Sequence, residues 1–136
     1  MTVMNIPELD GRLVETVDGS GAPGHWIFRF DNDSFISIGC DWRIVVDGRV
    51  KVAGGDHQQV FGRKEPLDAV KEATNLLGGR AILAASVGEV GDLLVTFEGG
   101  ARLETFTDSC GYESCTVRVD GGKQIVVLGG GGVAEL

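Results

Sequence analysis

The sequence predicts an α+β fold, mainly antiparallel β-sheet built from two pseudo-repeated β-units with one covering helix, and three observations carry that prediction. First, short runs of alternating polarity dominate the 136 residues, and 22 glycines punctuate them at Asp-Gly and Gly-Gly pairs. Second, only one stretch, near the middle, has helical periodicity. Third, the two halves read alike. Trp26-Ile27-Phe28-Arg29-Phe30-Asp31 returns as Leu93-Leu94-Val95-Thr96-Phe97-Glu98, and Trp42-Arg43-Ile44-Val45-Val46-Asp47-Gly48 as Cys115-Thr116-Val117-Arg118-Val119-Asp120-Gly121. Leu9-Asp10-Gly11-Arg12 returns as Leu77-Gly78-Gly79-Arg80. The offset grows from about 68 to about 73 residues, which places a longer loop near 110–114. A repeat of this kind speaks to architecture, two similar units sharing one core, more than to chemistry.

In chain order, residues 11–17 read as a first strand. Trp26, Phe28 and Phe30 share one face of the next, with Arg29 on the other. Asp31-Asn32-Asp33 turns the chain into a strand at 35–38; strands at 42–47 and 50–53 follow, with Gly48 between them. Pro66 suits the first turn of a helix over 66–77, where its missing N–H costs nothing. Leu67, Val70, Ala73, Leu76 and Leu77 form its apolar stripe, and Gly78-Gly79 ends it. That stripe must be buried, and a sheet face is the expected cover. Strands then follow at 82–87, 93–98, 102–106, 115–119 and 124–128, joined by turns at Glu98-Gly99-Gly100 and Asp120-Gly121-Gly122. The four-glycine run at 129–132 is too flexible to order by itself. The whole chain, 1–136, is expected as one domain, with halves at about 9–54 and 77–128 linked by the helix.

Composition narrows the function classes. A net charge of −8 and a pI near 4.6 repel phosphate, so nucleic acid and membrane surfaces are poor partners and a basic protein is the expected one. No basic, apolar leader opens the chain, and the three cysteines are an odd number, so reduced thiols in the cytoplasm are expected. No phosphate loop, dinucleotide fingerprint or nucleophile elbow is present, and no cofactor is expected. Oligomeric state is not legible.

The candidate site residues lie in two segments. Asp56 and His57 sit before the helix, where an imidazole beside a carboxylate is the raw material of general-base chemistry. Adjacent strand residues face opposite ways, however, so a polar loop closing onto the helix is the preferred account of the pair. Cys110, Tyr112 and Glu113 lie in the loop that interrupts the repeat, and such loops carry recognition. Four residues separate Cys110 from Cys115, longer spacing than a redox or zinc pair uses, and the two histidines lie far off; no metal is expected. Cys115 takes the place of Trp42 and is expected in the core, with Cys110 exposed.

Taken with Gly55-Asp56-His57-Gln58-Gln59-Val60-Phe61-Gly62, Leu93-Val95-Phe97-Glu98-Gly99 and Gly111-Tyr112-Glu113-Ser114, the chain resembles a group of small bacterial proteins of unknown function. The resemblance covers about residues 24–120, and Cys115 stands where tryptophan would be expected. Such proteins are similar to the immunity proteins of bacterial toxin systems, which bind and block a cognate toxin. The resemblance implies a non-enzymatic protein-binding role and supplies no catalytic residues. Two alternatives remain open: a small-molecule site or minor enzyme using His57 with loop carboxylates such as Asp56 or Glu113, and a structural or assembly module pairing through sheet edges.

Overall fold

A computed structural model describes residues 2–136. Twelve strands form two six-stranded antiparallel sheets: β1 (Thr2–Asn5), β2 (Val14–Asp18), β3 (Trp26–Phe30), β4 (Phe35–Ile38), β5 (Asp41–Val46), β6 (Arg49–Ala53), β7 (Ile82–Gly88), β8 (Leu93–Phe97), β9 (Ala101–Phe106), β10 (Cys115–Arg118), β11 (Gln124–Val127) and β12 (Val133–Glu135). One sheet has the order β1-β7-β8-β9-β5-β6, the other β12-β11-β10-β4-β3-β2. The alternation read from the sequence sorts side chains as it should. Trp26, Phe28 and Phe30 are buried while Arg29 is exposed, and Trp42, Ile44, Leu93, Val95, Phe97 and Val117 complete the inner faces. Asp47 (φ 52°) and Gly48 (φ 78°) form a two-residue turn of the primed type, whose twist matches the strands it joins.

The repeat governs the topology. In each half three consecutive strands form a meander, then the chain crosses and contributes two strands to the other sheet. Thus β2-β3-β4 lies beside β10-β11, and β7-β8-β9 lies beside β5-β6. The registers repeat as well. Trp42 pairs with Thr105 and Ile44 with Leu103, while at the equivalent places Cys115 pairs with Ile38 and Val117 with Ile36. Even the irregularity recurs, between Val14 and Thr16 in β2 and between Ile82 and Ala84 in β7. At the meander starts, Asp31 accepts from the Leu13 N–H (3.4 Å) and Glu98 from the Ala81 N–H (2.8 Å).

The helix α1 (Ala69–Leu77) starts three residues later than the sequence suggests. Asp68, not a proline-led first turn, sets its N-terminus: the carboxylate accepts from the Val70 and Lys71 N–H groups at 3.0 and 3.2 Å. The buried stripe is Ala69, Ala73 and Leu77, with Leu67, Val70 and Leu76 half-buried beside it. Two of these three inward residues are alanines, because α1 lies along sheet edges and not across a face. It packs against β2 and β6, the edge strands of opposite sheets, and seals the seam between them. On the opposite seam a 3₁₀ turn, Pro7–Leu9, packs on β7 and buries Ile6 and Leu9, and Leu9 is the repeat counterpart of Leu77.

Other corrections follow from pairing that local pattern does not reveal. The first predicted strand begins at Val14, after Gly11 turns the chain at φ 80°. Strands β1 and β12 were not foreseen; each is short and adds to a sheet edge. The glycine run is ordered by its neighbours: Gly129–Gly131 forms a tight turn with Gly130 and Gly131 at positive φ (83° and 100°), and Gly131 is buried against Val90 and Gly91. Among the described residues no helix is long and apolar enough to cross a membrane.

Two outcomes are expected. Phe97→Ala removes a fully buried ring where β8 meets the core, and should cost about 3–5 kcal/mol in chemical denaturation, a large part of a typical total of roughly 5–15 kcal/mol. Glu104 tests the outer face. Burial alone would raise its pKa, but the Arg102 (2.6 Å) and Arg43 (3.3 Å) guanidiniums hold it below the usual 4.5. The unfolded chain therefore takes up this proton first. The stabilisation is complete above pH 4.5 and is lost as pH falls through the lower folded-state value. Glu104→Gln should melt below wild type at pH 7, with the gap closing in acid. A gap independent of pH would contradict the assignment.

Candidate functional site

The repeat collects the loops at one end. β4 ends where Ile38 pairs with both Trp26 and Cys115, and β9 ends where Phe106 pairs with Asp41. Both crossovers therefore lie at the same end of the sandwich, with the β2–β3 loop, the segment after β6 and the glycine tail. The other end carries the short hairpin turns. Loops on a rigid frame can vary without cost to the core, so the crossover end is where a site is expected.

A half-open cavity of about 430 Å³ lies there, within the size range of small-ligand sites. Trp26, Trp42 and His57 wall it together with Cys40, and Asp41 and Asp108 line it. The aromatic rings interlock edge to face: Trp26 lies 5.2 Å from Trp42 at 75° and 5.2 Å from His57 at 86°, and Phe28 backs Trp42 at 5.3 Å. Two glycines make this possible. A Cβ on Gly54 would stand 2.6 Å from Trp42 Nε1, and one on Gly19 would collide with the Trp26 ring. The indole N–H of Trp42, a residue only 2% exposed, has no hydrogen-bond partner among the described residues.

His57 is held by the helix. Its Nδ1 accepts the Ala69 N–H at 3.1 Å, which leaves the proton of the neutral ring on Nε2. Together with Asp68 it satisfies the first three N–H groups of α1. Asp56 does not orient His57; its carboxylate accepts the Ala53 N–H at 3.0 Å. Tyr112 and Glu113 line a shallower neighbouring depression with His25, and Gly39 borders both hollows. Tyr112 is 83% exposed, so it does not cover the core edge. Its loop is shaped by Ser109, whose Oγ accepts from the Gly111 and Tyr112 N–H groups at 3.1 and 2.9 Å. Cys110 is exposed and unbonded.

The candidate residues thus fall into two adjoining hollows, with His57 in one, Tyr112 and Glu113 in the other, and Asp56 and Cys110 lining neither. The sequence reading missed Asp41 and Asp108, and placed Trp26 and Trp42 in the core without noticing their cavity edge. A signal existed. At the spacing that relates β4 to β9, Asp41 answers Asp108, each just past the end of a meander.

Nucleophilic chemistry is poorly provided for. Burial raises the Cys40 thiol pKa, and Asp108 and Asp41 add to the rise against hydrogen bonds from Phe106 and Thr105. Burial, with Cys40 nearby, pushes Cys115 up to about 12. Both stay protonated at neutral pH. Among the described residues no group of three or more His, Cys, Asp or Glu side chains is placed to hold a metal ion.

The two exchanged halves of the antiparallel sandwich thus gather their loops around an aromatic, carboxylate-flanked hollow. Residues 26–136 match the Family of unknown function (DUF6188), and the chain belongs to that family. No curated protein and no solved structure matches the chain.

The thiols offer a direct check on these surroundings. In native protein one cysteine, Cys110, should react promptly with a disulfide reagent, and all three after denaturation. Prompt reaction of all three native thiols would place Cys115 outside the core.

Proposed function

We propose that the protein is a non-enzymatic binding domain of the cytoplasm, similar in role to an immunity protein, which receives a basic protein partner at its loop-bearing end. One observation carries the reading. Two adjoining hollows occupy that end, Asp41, Asp108 and Glu113 line them, and among the described residues no lysine or arginine does. The net charge of −8 reinforces the local field and favours encounter with a cation-rich surface. Tyr112, almost wholly exposed on a loop braced by Ser109, supplies the large, low-entropy contact that protein interfaces favour.

The enzyme alternative has an observation of its own, since the cavity brings His57 together with two carboxylates. The imidazole is nevertheless committed. A base needs a free lone pair, and the only unprotonated nitrogen of the ring is already bonded to the Ala69 N–H. The same cavity as a small-molecule site without turnover is the second reading.

The test is capture from the native cell on immobilised protein, followed by kinetics with the purified partner. The expected partner is basic, and association slows as salt rises because screening removes long-range attraction. Replacing Tyr112 and Glu113 by alanine should weaken binding and leave the melting temperature unchanged. An acidic partner, salt-independent association or full binding by the double variant would overturn the reading.

A further inference from the structure

We propose that the arm of residues 58–66 is an association surface for a second copy of this chain, each arm seating its tip in the hollow beneath the other. That hollow shares no residue with the two described above, so the surface is separate from the one that bears Tyr112 and Glu113.

The arm is a small hairpin between His57 and α1. Two backbone bonds tie its base: the Gln58 N–H donates to the Leu67 carbonyl (2.7 Å) and the Leu67 N–H to the Gln59 carbonyl (2.8 Å). The Arg63 N–H closes the tip on the Val60 carbonyl at 2.8 Å, with Phe61 (φ 48°) and Gly62 (φ 75°) between them. Two positive φ values in succession make a primed turn, which asparagine followed by glycine fits best. Glycine holds the second place. A bulky phenylalanine in the first is strained, because its Cβ resists the left-handed region. Burial of the ring does not offset that strain. Phe61 is 65% exposed and Val60 beside it 49%, and a Cβ on Gly62 would meet nothing within 4 Å. For folding, asparagine would serve better at this position. A stiff arm that presents an exposed ring at its tip has the form of an interface anchor.

The charges around the ring define what covers it. Between the arm and α1 lies an open hollow of about 390 Å³, lined among others by Arg63, Glu65, Pro66, Lys71 and Glu72. The tip, residues 60–64, carries Arg63 and Lys64 and no acid, while the hollow beside it carries Glu65 and Glu72. Among the described residues none of these four charges enters an ion pair within its own chain. A molecule that fits this surface must offer carboxylates to the tip and an apolar side chain with cations to the hollow. The same surface on a second copy offers both. Knob and hollow lie side by side on one patch, as a twofold interface requires, where each contact is made twice with the roles exchanged. Phe61 then enters the hollow of the second copy, and Arg63 meets its Glu72. The contact is small, so the dimer is weak and reversible.

Sedimentation equilibrium reads the association directly. Wild type should show a monomer–dimer equilibrium with a dissociation constant on the order of 100 μM, as suits a small interface. Phe61→Asn should weaken it by about tenfold or more, the effect of losing an anchor, at a melting temperature no lower than wild type, because asparagine accepts the turn that phenylalanine resists. Arg63→Glu and Glu72→Lys should each weaken association by setting like charges together. An equimolar mixture of these two variants should associate about as tightly as wild type, since both contacts then join opposite charges. A local effect within one chain cannot produce that rescue. Wild type that stays monomeric at about 1 mM, a dimer untouched by Phe61→Asn, or a mixture no tighter than its separate components overturns the proposal.

Discussion

The hydrogen-bonded seam between halves, β5 on β9 in one sheet and β4 on β10 in the other, is the constraint from which the rest follows. A meander of three strands leaves an edge unpaired and an apolar face half covered. Here each half completes the other's sheet. Neither sheet exists without strands from both parts of the chain, so the two inner faces are assembled together and enclose a shared core. The crossovers that achieve this must lie at the ends of β4 and β9, and the registers bring those ends side by side. That is why the loops collect where they do, and why a cavity opens between them.

The exchange also leaves two seams where edge strands of opposite sheets meet. Here the halves differ. One seam receives a nine-residue helix, the other a single 3₁₀ turn. A helix so short gains little from propensity and is held by its tertiary contacts and its cap. Asp68 and His57 supply that cap, and His57 is also a cavity wall. Local stability at the seam and the shape of the hollow are therefore set by one side chain.

Strand identities were legible because period-two alternation and glycine turns are local signals, and the repeat made them doubly so. The sheet order was not. Nothing near Trp42 announces that β5 joins a meander from the other half, because such pairing is decided by the shared core. The helix start moved to Ala69 because an aspartate cap outweighed Pro66, and the alanines at 69 and 73 reflect a narrow seam. For the site, the sequence located the Tyr112 loop through its departure from the repeat, and the His57 segment through an imidazole beside a carboxylate just ahead of the helix. It could not see that Trp26 and Trp42, strong core signals, also face a cavity, since burial and lining look alike in a polarity pattern. Asp41 and Asp108 were hidden for a related reason. Each looks like an ordinary turn residue until the crossovers bring them to one cavity.

The seating of the glycine run has a practical side. Gly129 lies so close to Gly111 that a Cβ would stand 2.5 Å from its carbonyl carbon, and the Gly130 N–H donates to the Ser109 carbonyl at 2.8 Å. The last stretch of chain thus works as a splint beneath the loop that presents Tyr112. Trimming the chain after Leu128, or fusing a bulky domain there, would remove β12 from its sheet edge and free that loop in a single cut. A cut or insertion at the glycine run is therefore not neutral for a loop that lies well upstream in sequence.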